Sequence, residues 1–173
     1  IELIGKHNSS VVTNPASNAK LGNGFAPVVD MLNRGINVCL GTDSVASNNT
    51  LNMFREMGLL SLLHKAVHNN STTLFSGSVL QTATVNSAKA LGLNHRLGSI
   101  IEGAYADLIF VDLRSPSLFP NNNIVSSLCY SANGSEVSSV MINGRFVMKD
   151  RELTTIDANR VYYEIEHIVK KYL

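Results

Sequence analysis

The chain has 173 residues, 45% apolar and 16% charged, with 14 Lys plus Arg against 13 Asp plus Glu. That length supports one domain with a sizeable core, and the composition excludes a disordered chain. The balanced charge, with no basic block, argues against a nucleic-acid or membrane-surface partner, and no apolar run approaches the ~18 residues of a membrane span.

Ile1 to Gly5 reads as the end of a helix with a glycine stop, so the chain looks cut rather than naturally begun. No signal-peptide shape is present. Val11-Val12-Thr13 reads as a short buried strand running into Asn14-Pro15, a pair that favours an extended or turn geometry. A loop is expected through Asn18, Gly22, Asn23 and Gly24. Pro27 suits the first turn of a helix whose apolar face is Val28, Val29, Met31 and Leu32, with Gly35 as its stop.

Ile36 to Thr42 is too continuously apolar for a solvent-facing strand and reads as a buried parallel one. Asp43 lies just past its C-terminal end, before a small polar loop, Ser44 to Thr50. A long helix follows from about Leu51 to His68, with Met53, Met57, Leu60, His64 and Val67 on one face, and another covers about Ser78 to Leu91. This βα repetition predicts parallel strands, as in a β/α barrel or a doubly wound sheet. A closed (β/α)8 barrel needs ~250 residues, so two βα units would be only part of one.

From Gly98 the character changes. Residues 99–103 and 106–112 read as strands, separated by Pro116, Pro120 and Asn121-Asn122-Asn123 from a hairpin over Val137 to Met148 that turns at Asn143-Gly144. A helix from Asp157, a fair N-cap, to Leu173 ends the chain. The two cysteines, Cys39 and Cys129, sit in apolar runs and read as buried free thiols, which fits a reducing cytosol.

The informative stretch is Gly41-Thr42-Asp43-Ser44-Val45-Ala46-Ser47-Asn48-Asn49. A carboxylate at the C-terminal mouth of a buried parallel strand stands where β/α barrels place catalytic groups. Buried alone, it would be costly unless it met a metal, a cation or hydrogen-bond donors. Asn14-Pro15-Ala16-Ser17-Asn18-Ala19-Lys20-Leu21-Gly22-Asn23-Gly24 precedes it, and Ala26-Pro27-Val28 opens the intervening helix. Ala104-Tyr105-Ala106-Asp107-Leu108-Ile109-Phe110-Val111-Asp112 and Val140-Met141-Ile142-Asn143-Gly144-Arg145 follow.

In order and spacing these pieces resemble the amidohydrolase superfamily, in particular its methylthioadenosine and S-adenosylhomocysteine deaminases and their chlorohydrolase relatives. The resemblance implies an α/β fold. Residues 1–95 would be the last βα units of a metal-dependent (β/α)8 hydrolase barrel, 96–150 the C-terminal strands of a composite β-sandwich, and 151–173 a C-terminal helix. It implies that Asp43 ligates a divalent metal, zinc or alternatively iron or nickel, and helps move the proton of the water that attacks a purine. Ser47 matches a residue lining the substrate pocket; a turn hydroxyl that holds its loop is equally open.

Ser17 and Asn18 are expected to stabilise their loop, and Asn48 and Asn49 to serve as turn and cap groups. Thr13 stands where many relatives carry His. The family's other metal ligands, an H-x-H pair and two further histidines, and its acid/base glutamate have no counterpart among the five histidines, His7, His64, His68, His95 and His167, or elsewhere. His64 and His68 share a helix face, but Lys65 stands where a zincin carries Glu. The structural reading of that pair is preferred.

The implied parent is a cytoplasmic deaminase of an adenosine-type nucleoside. Its partners would be that small molecule and either a second copy or the missing N-terminal part. Guanine deaminase, triazine chlorohydrolase and a non-catalytic domain derived from such an enzyme are the alternatives.

Overall fold

The computed structural model describes residues 1–172 and divides into two units, Ile1–Ala104 with Leu113–Ser135, and Tyr105–Asp112 with the residues from Glu136 onward. Residues 96–104 and 113–135, expected with the strand segment, therefore cluster with the first unit.

In the first unit, β1 (Val11–Thr13) and β2 (Val38–Leu40) pair in parallel, with Val11 opposite Val38 and Thr13 opposite Leu40. All three β2 residues are buried, as their unbroken apolar run requires. Helix α1 (Glu2–Lys6) precedes β1 and continues through Gly5; the chain leaves it at Asn8, which takes a left-handed φ of 50°. Gly5 is thus not the stop expected.

The segment after β1 differs most from expectation. Asn14 does not start a loop: it is the N-cap of α2 (Pro15–Lys20), and Pro15 occupies the first helical turn. Proline is at home there, because its missing N–H is one that no helix uses. Helix α3 (Val28–Asn33) follows Pro27, buries Val28 and Met31, and ends before Gly35 at φ 74°.

After β2 comes the short α4 (Val45–Asn48), inside the expected loop, and then α5 (Met53–His68). Asn52 caps α5 by accepting the Arg55 N–H at 3.1 Å. Helix α5 buries Met57, Leu60 and His64 as expected, whereas Val67 is exposed and Glu56 and Ser61 are buried.

The single helix expected over 78–91 is two, α6 (Ser76–Ala83) and α7 (Val85–Ala90), broken at Thr84. The Thr84 hydroxyl bonds back to the Leu80 carbonyl at 2.7 Å, a competition with the helix ladder typical of threonine. Gly98 packs against that break. At φ 84° a Cβ there would lie 2.8 Å from the Val85 Cα and 2.9 Å from the Thr84 carbonyl. Residues 99–103 form turns rather than the expected strand.

Helix α8 (Ile124–Tyr130), not foreseen, packs on α5 and α6 and delivers Cys129 to the core. That core joins Val28, Met31, Ile36, Val38, Leu40, Met57, Leu60, Leu74 and Val79. Cys39 and Cys129 are free and buried; burial pushes the Cys129 thiol up to about 11.

The second unit is an antiparallel sheet in the order β3 (Leu108–Val111), β4 (Val137–Ile142), β5 (Arg145–Lys149) and β6 (Glu152–Leu153). The hairpin turns at Asn143 and Gly144, both at positive φ, as a two-residue turn with the right twist demands. Asp107 fixes it by accepting the Asn143 N–H at 2.7 Å. Asp157 caps the last helix, α9 (Ala158–Tyr172), through the Arg160 N–H at 3.0 Å; Leu173 lies outside the described residues. No described helix is long and apolar enough to cross a membrane.

Candidate active site

The two parallel strands end side by side, and each opens at its C-terminal end into a short helix, β1 into α2 and β2 into α4. Asp43 stands where β2 ends, at a φ of 61°. Aspartate tolerates this left-handed conformation better than most residues. At Gly41, two residues earlier, the Asn14 and Val12 side chains pack close to the backbone: a Cβ there would lie 2.6 Å from the Asn14 Oδ1 and 2.9 Å from the Val12 Cγ1, so those side chains would have to move.

The Asp43 carboxylate is exposed and collects three donors. The Ser17 hydroxyl, from α2, donates to Oδ2 at 2.7 Å. The Ser47 hydroxyl, from α4, donates to the same oxygen at 2.7 Å. The Ser44 N–H donates to Oδ1 at 2.8 Å. These donors, Ser17 first, hold the carboxyl below the usual aspartate value, so it is ionised at neutral pH.

Ser17, expected only to stabilise its loop, is thus brought onto Asp43, while Asn18 is not among the residues bonded to it. Ser47 meets Asp43 and also lies 3.1 Å from the Ser44 hydroxyl that caps α4. Lys20 joins the two helices by bonding to Asn49 and to the Ala46 carbonyl.

Glu56 was missed in the sequence. Its side chain is fully buried; Oε2 accepts the Ala16 N–H at 2.9 Å and Oε1 accepts the Asn48 Nδ2 at 2.8 Å. The available signal was a carboxylate at helical spacing from Met53 and Leu60 on an apolar stripe. A charge there must find partners.

One carboxylate fits a divalent cation as a single ligand: it is exposed, ionised and oriented by fixed donors. No group of three or more His, Cys, Asp or Glu that could hold a metal exists among the described residues, so other ligands would have to come from outside them. His64 and His68 make no such centre. Their rings stack at 6.0 Å, and the buried His64 Nδ1 has no partner among the described residues.

Burial, and then His68, lower the His64 pKa from the ordinary 6.5. The unfolded chain therefore takes up this proton first. The stability contributed by neutral His64 is full above 6.5 and is lost as pH falls from there through the lowered folded value. The urea midpoint should drop over that acid range, and His64→Leu should flatten the drop. An unchanged acid limb in the variant would assign it to other groups.

Residues 1–147 match the family described as the amidohydrolase family. The 5-methylthioadenosine/S-adenosylhomocysteine deaminase of Acetivibrio thermocellus is 50% identical over 164 residues, 95% of this chain and 38% of that protein. The protein of the same name from Caldanaerobacter subterraneus subsp. tengcongensis is 46% identical over 166 residues, 96% of this chain and 38% of that protein. An adenosine deaminase from Xanthomonas campestris, solved with bound zinc, superposes with a TM-score of 0.94 at 36% identity, over 98% of this chain and 39% of that one. The zinc complex of an atrazine chlorohydrolase from Arthrobacter aurescens shares the fold, with a TM-score of 0.88 at 24% identity over 97% of this chain and 38% of that one. The chain thus spans under two-fifths of the length of these proteins.

Proposed function

The chain belongs to the amidohydrolase family, and from that premise we propose that it is the C-terminal portion of a metal-dependent deaminase of an adenosine-type nucleoside. The substrates we assign are 5′-methylthioadenosine and S-adenosylhomocysteine. In this reading the first unit supplies the last two βα steps of the barrel, and the antiparallel strands of the second unit belong to a composite β-sandwich that ends in α9. The observation that carries the reading is Asp43, an ionised carboxylate at the C-terminal mouth of a parallel strand, held by donors from the ends of two neighbouring strands.

Asp43 is the residue here that would hold the cation; zinc is the first choice, with iron and nickel as alternatives. Such a cation, when bound, would lower the pKa of a water to about 7. The work of this chain is proton handling. Among the described residues Oδ2 accepts from Ser17 and Ser47 and Oδ1 from the Ser44 N–H, so the lone pair left on Oδ1 would face the cation. The Ser47 hydroxyl has the Ser44 carbonyl at 3.2 Å as a second acceptor, and by turning to it would free Oδ2 to take the proton of the attacking water and return it to the leaving amine. Ser17 and Ser47 hold Oδ2 and so fix the carboxylate's orientation.

Deaminase names on relatives at 50% and 46% identity favour this chemistry over dechlorination, since the chlorohydrolase at 24% supports the fold alone. The buried thiols Cys39 and Cys129 suit the reducing cytoplasm in which we place the enzyme. The test is a substrate panel on the complete enzyme: ammonia should be released from both nucleosides faster than from guanine. Preference for guanine, or chloride release from a triazine, would overturn the assignment.

Ser47 we place at the substrate pocket. Ser47 lies four residues from Asp43, on the segment that already fixes the carboxylate through the Ser44 N–H, whereas Ser17 is the tie from the neighbouring strand end. With Ser17 in place the carboxylate keeps its aim when the Ser47 hydroxyl is removed. Ser47→Ala should therefore raise KM several-fold, with a smaller change in kcat, the mark of lost uniform binding. A large loss in kcat at unchanged KM would contradict this.

A further inference from the structure

We propose that Glu56 is a positioning residue for Asp43, an inference that rests on the reading of Asp43 as a metal ligand. Glu56 lies on α5, is fully buried, and spends its two carboxylate oxygens on two different elements. Oε2 accepts the N–H of Ala16 at 2.9 Å. That donor belongs to the first turn of α2, which Asn14 leaves without a side-chain cap. Oε1 accepts Asn48 Nδ2 at 2.8 Å, and the same amide nitrogen donates to the Thr42 carbonyl at 2.6 Å.

Each link ends one residue from the catalytic carboxylate or its donor. Ala16 precedes Ser17, whose hydroxyl holds Asp43 Oδ2, and Thr42 precedes Asp43 itself. The free rotation of Asn48 is removed as well: its Oδ1 accepts Arg55 Nη1 at 3.1 Å and Thr50 Oγ1 at 3.3 Å, so the amide cannot turn round without losing both. Glu56 thereby sets the spacing between the ends of β1 and β2 across which Ser17 and Asp43 meet.

A carboxylate is needed because both partners are donors. In Glu56→Gln the side chain keeps its shape, yet its NH2 must face either the Ala16 N–H or the Asn48 amide. One link is lost whichever way it turns.

The test uses the complete enzyme with zinc as the probe. Glu56→Gln should weaken zinc binding, measured by competition with a chromophoric chelator, by about 10- to 100-fold, the range for residues that orient a ligand. It should lower kcat with KM little changed. Ser17→Ala should act in the same direction, and the double variant should lose less than the product of the two. Ser61→Ala is the structural control. It removes a buried hydroxyl on the same helix that bonds to the Leu74 carbonyl at 2.8 Å, a bond that shares no residue with the links from Glu56 to Asp43. It should lower the melting temperature while leaving zinc affinity and kcat unchanged.

Glu56→Gln with a lowered melting temperature but parental zinc affinity and kcat would overturn the proposal. Where Glu56→Gln does not fold, Asn48→Ala decides, because it removes the link from Glu56 to the Thr42 carbonyl while leaving Ser17 and Asp43 in place. Unchanged zinc affinity and kcat overturn the route from Glu56 to Asp43, and a loss of both with KM little changed supports it. Asp43→Asn run alongside separates the two readings. If it too keeps zinc and turnover, the metal-ligand reading has failed; if it alone loses them, only the role of Glu56 has.

Discussion

Asp43→Asn in the complete enzyme should reduce turnover to background and weaken metal binding while leaving the fold in place. Proton transfer alone contributes on the order of 10^2- to 10^4-fold in such sites, and loss of the ligand adds to that. The substitution separates charge from shape. Asparagine tolerates the left-handed φ of 61° that this position demands. Its Oδ1 can still accept the Ser44 N–H, and the hydroxyls of Ser17 and Ser47 can rotate to accept from its amide. What disappears is the negative charge that those donors keep ionised at neutral pH. Activity, zinc content and melting temperature measured together make the test: normal turnover in a well-folded variant would remove Asp43 from the chemistry.

The place of Asp43 was legible because it depends on local pattern. A continuous apolar run marks β2, and the residue that follows it stands at the strand's C-terminal mouth whatever else surrounds it. The Asn143-Gly144 hairpin and the Asp157 cap were legible for the same reason: each is settled within a few residues. Helix α2 departs from the sequence expectation because Asn-Pro is a turn signal that equally describes an N-cap followed by a proline in the first turn.

Helix α8 escaped because seven residues with two serines show no clear period. Its one local mark, Asn123 accepting the Ser126 N–H at 3.0 Å, was hidden in an asparagine run. The distant partners of Asp43 and Glu56 could not be read at all. Ser17 lies 26 residues from Asp43, and Ala16 lies 40 from Glu56; these pairings exist only once β1 and β2 are side by side.

The chain expressed by itself should be catalytically inert and hold no zinc after dialysis. Its parallel sheet has two strands of three residues each, so the outer edge of each strand has no partner within that sheet, and Val12 is 57% exposed. A two-stranded sheet is marginal without packing, and open edges invite pairing with other chains. In the second unit Ile109, Phe110 and Ile142 are exposed on the strands, and Val161, Ile165 and Ile168 on α9. Those three α9 residues, with Ala158 and Tyr172, recur at intervals of three and four, the spacing of a helix stripe that expects a cover. The relatives are more than twice as long as this chain. A catalytic zinc takes about three protein ligands, whereas the described residues offer no group of three. However well Ser17 and Ser47 aim Asp43, it has no activated water to relieve of a proton. Deamination of 5′-methylthioadenosine by the purified chain with added zinc should therefore not exceed the buffer rate, and the chain should aggregate or associate. Turnover together with near-stoichiometric zinc would mean that the ligands are supplied by this chain itself, through an assembly of copies that brings several Asp43 carboxylates or the His64 and His68 rings to one ion.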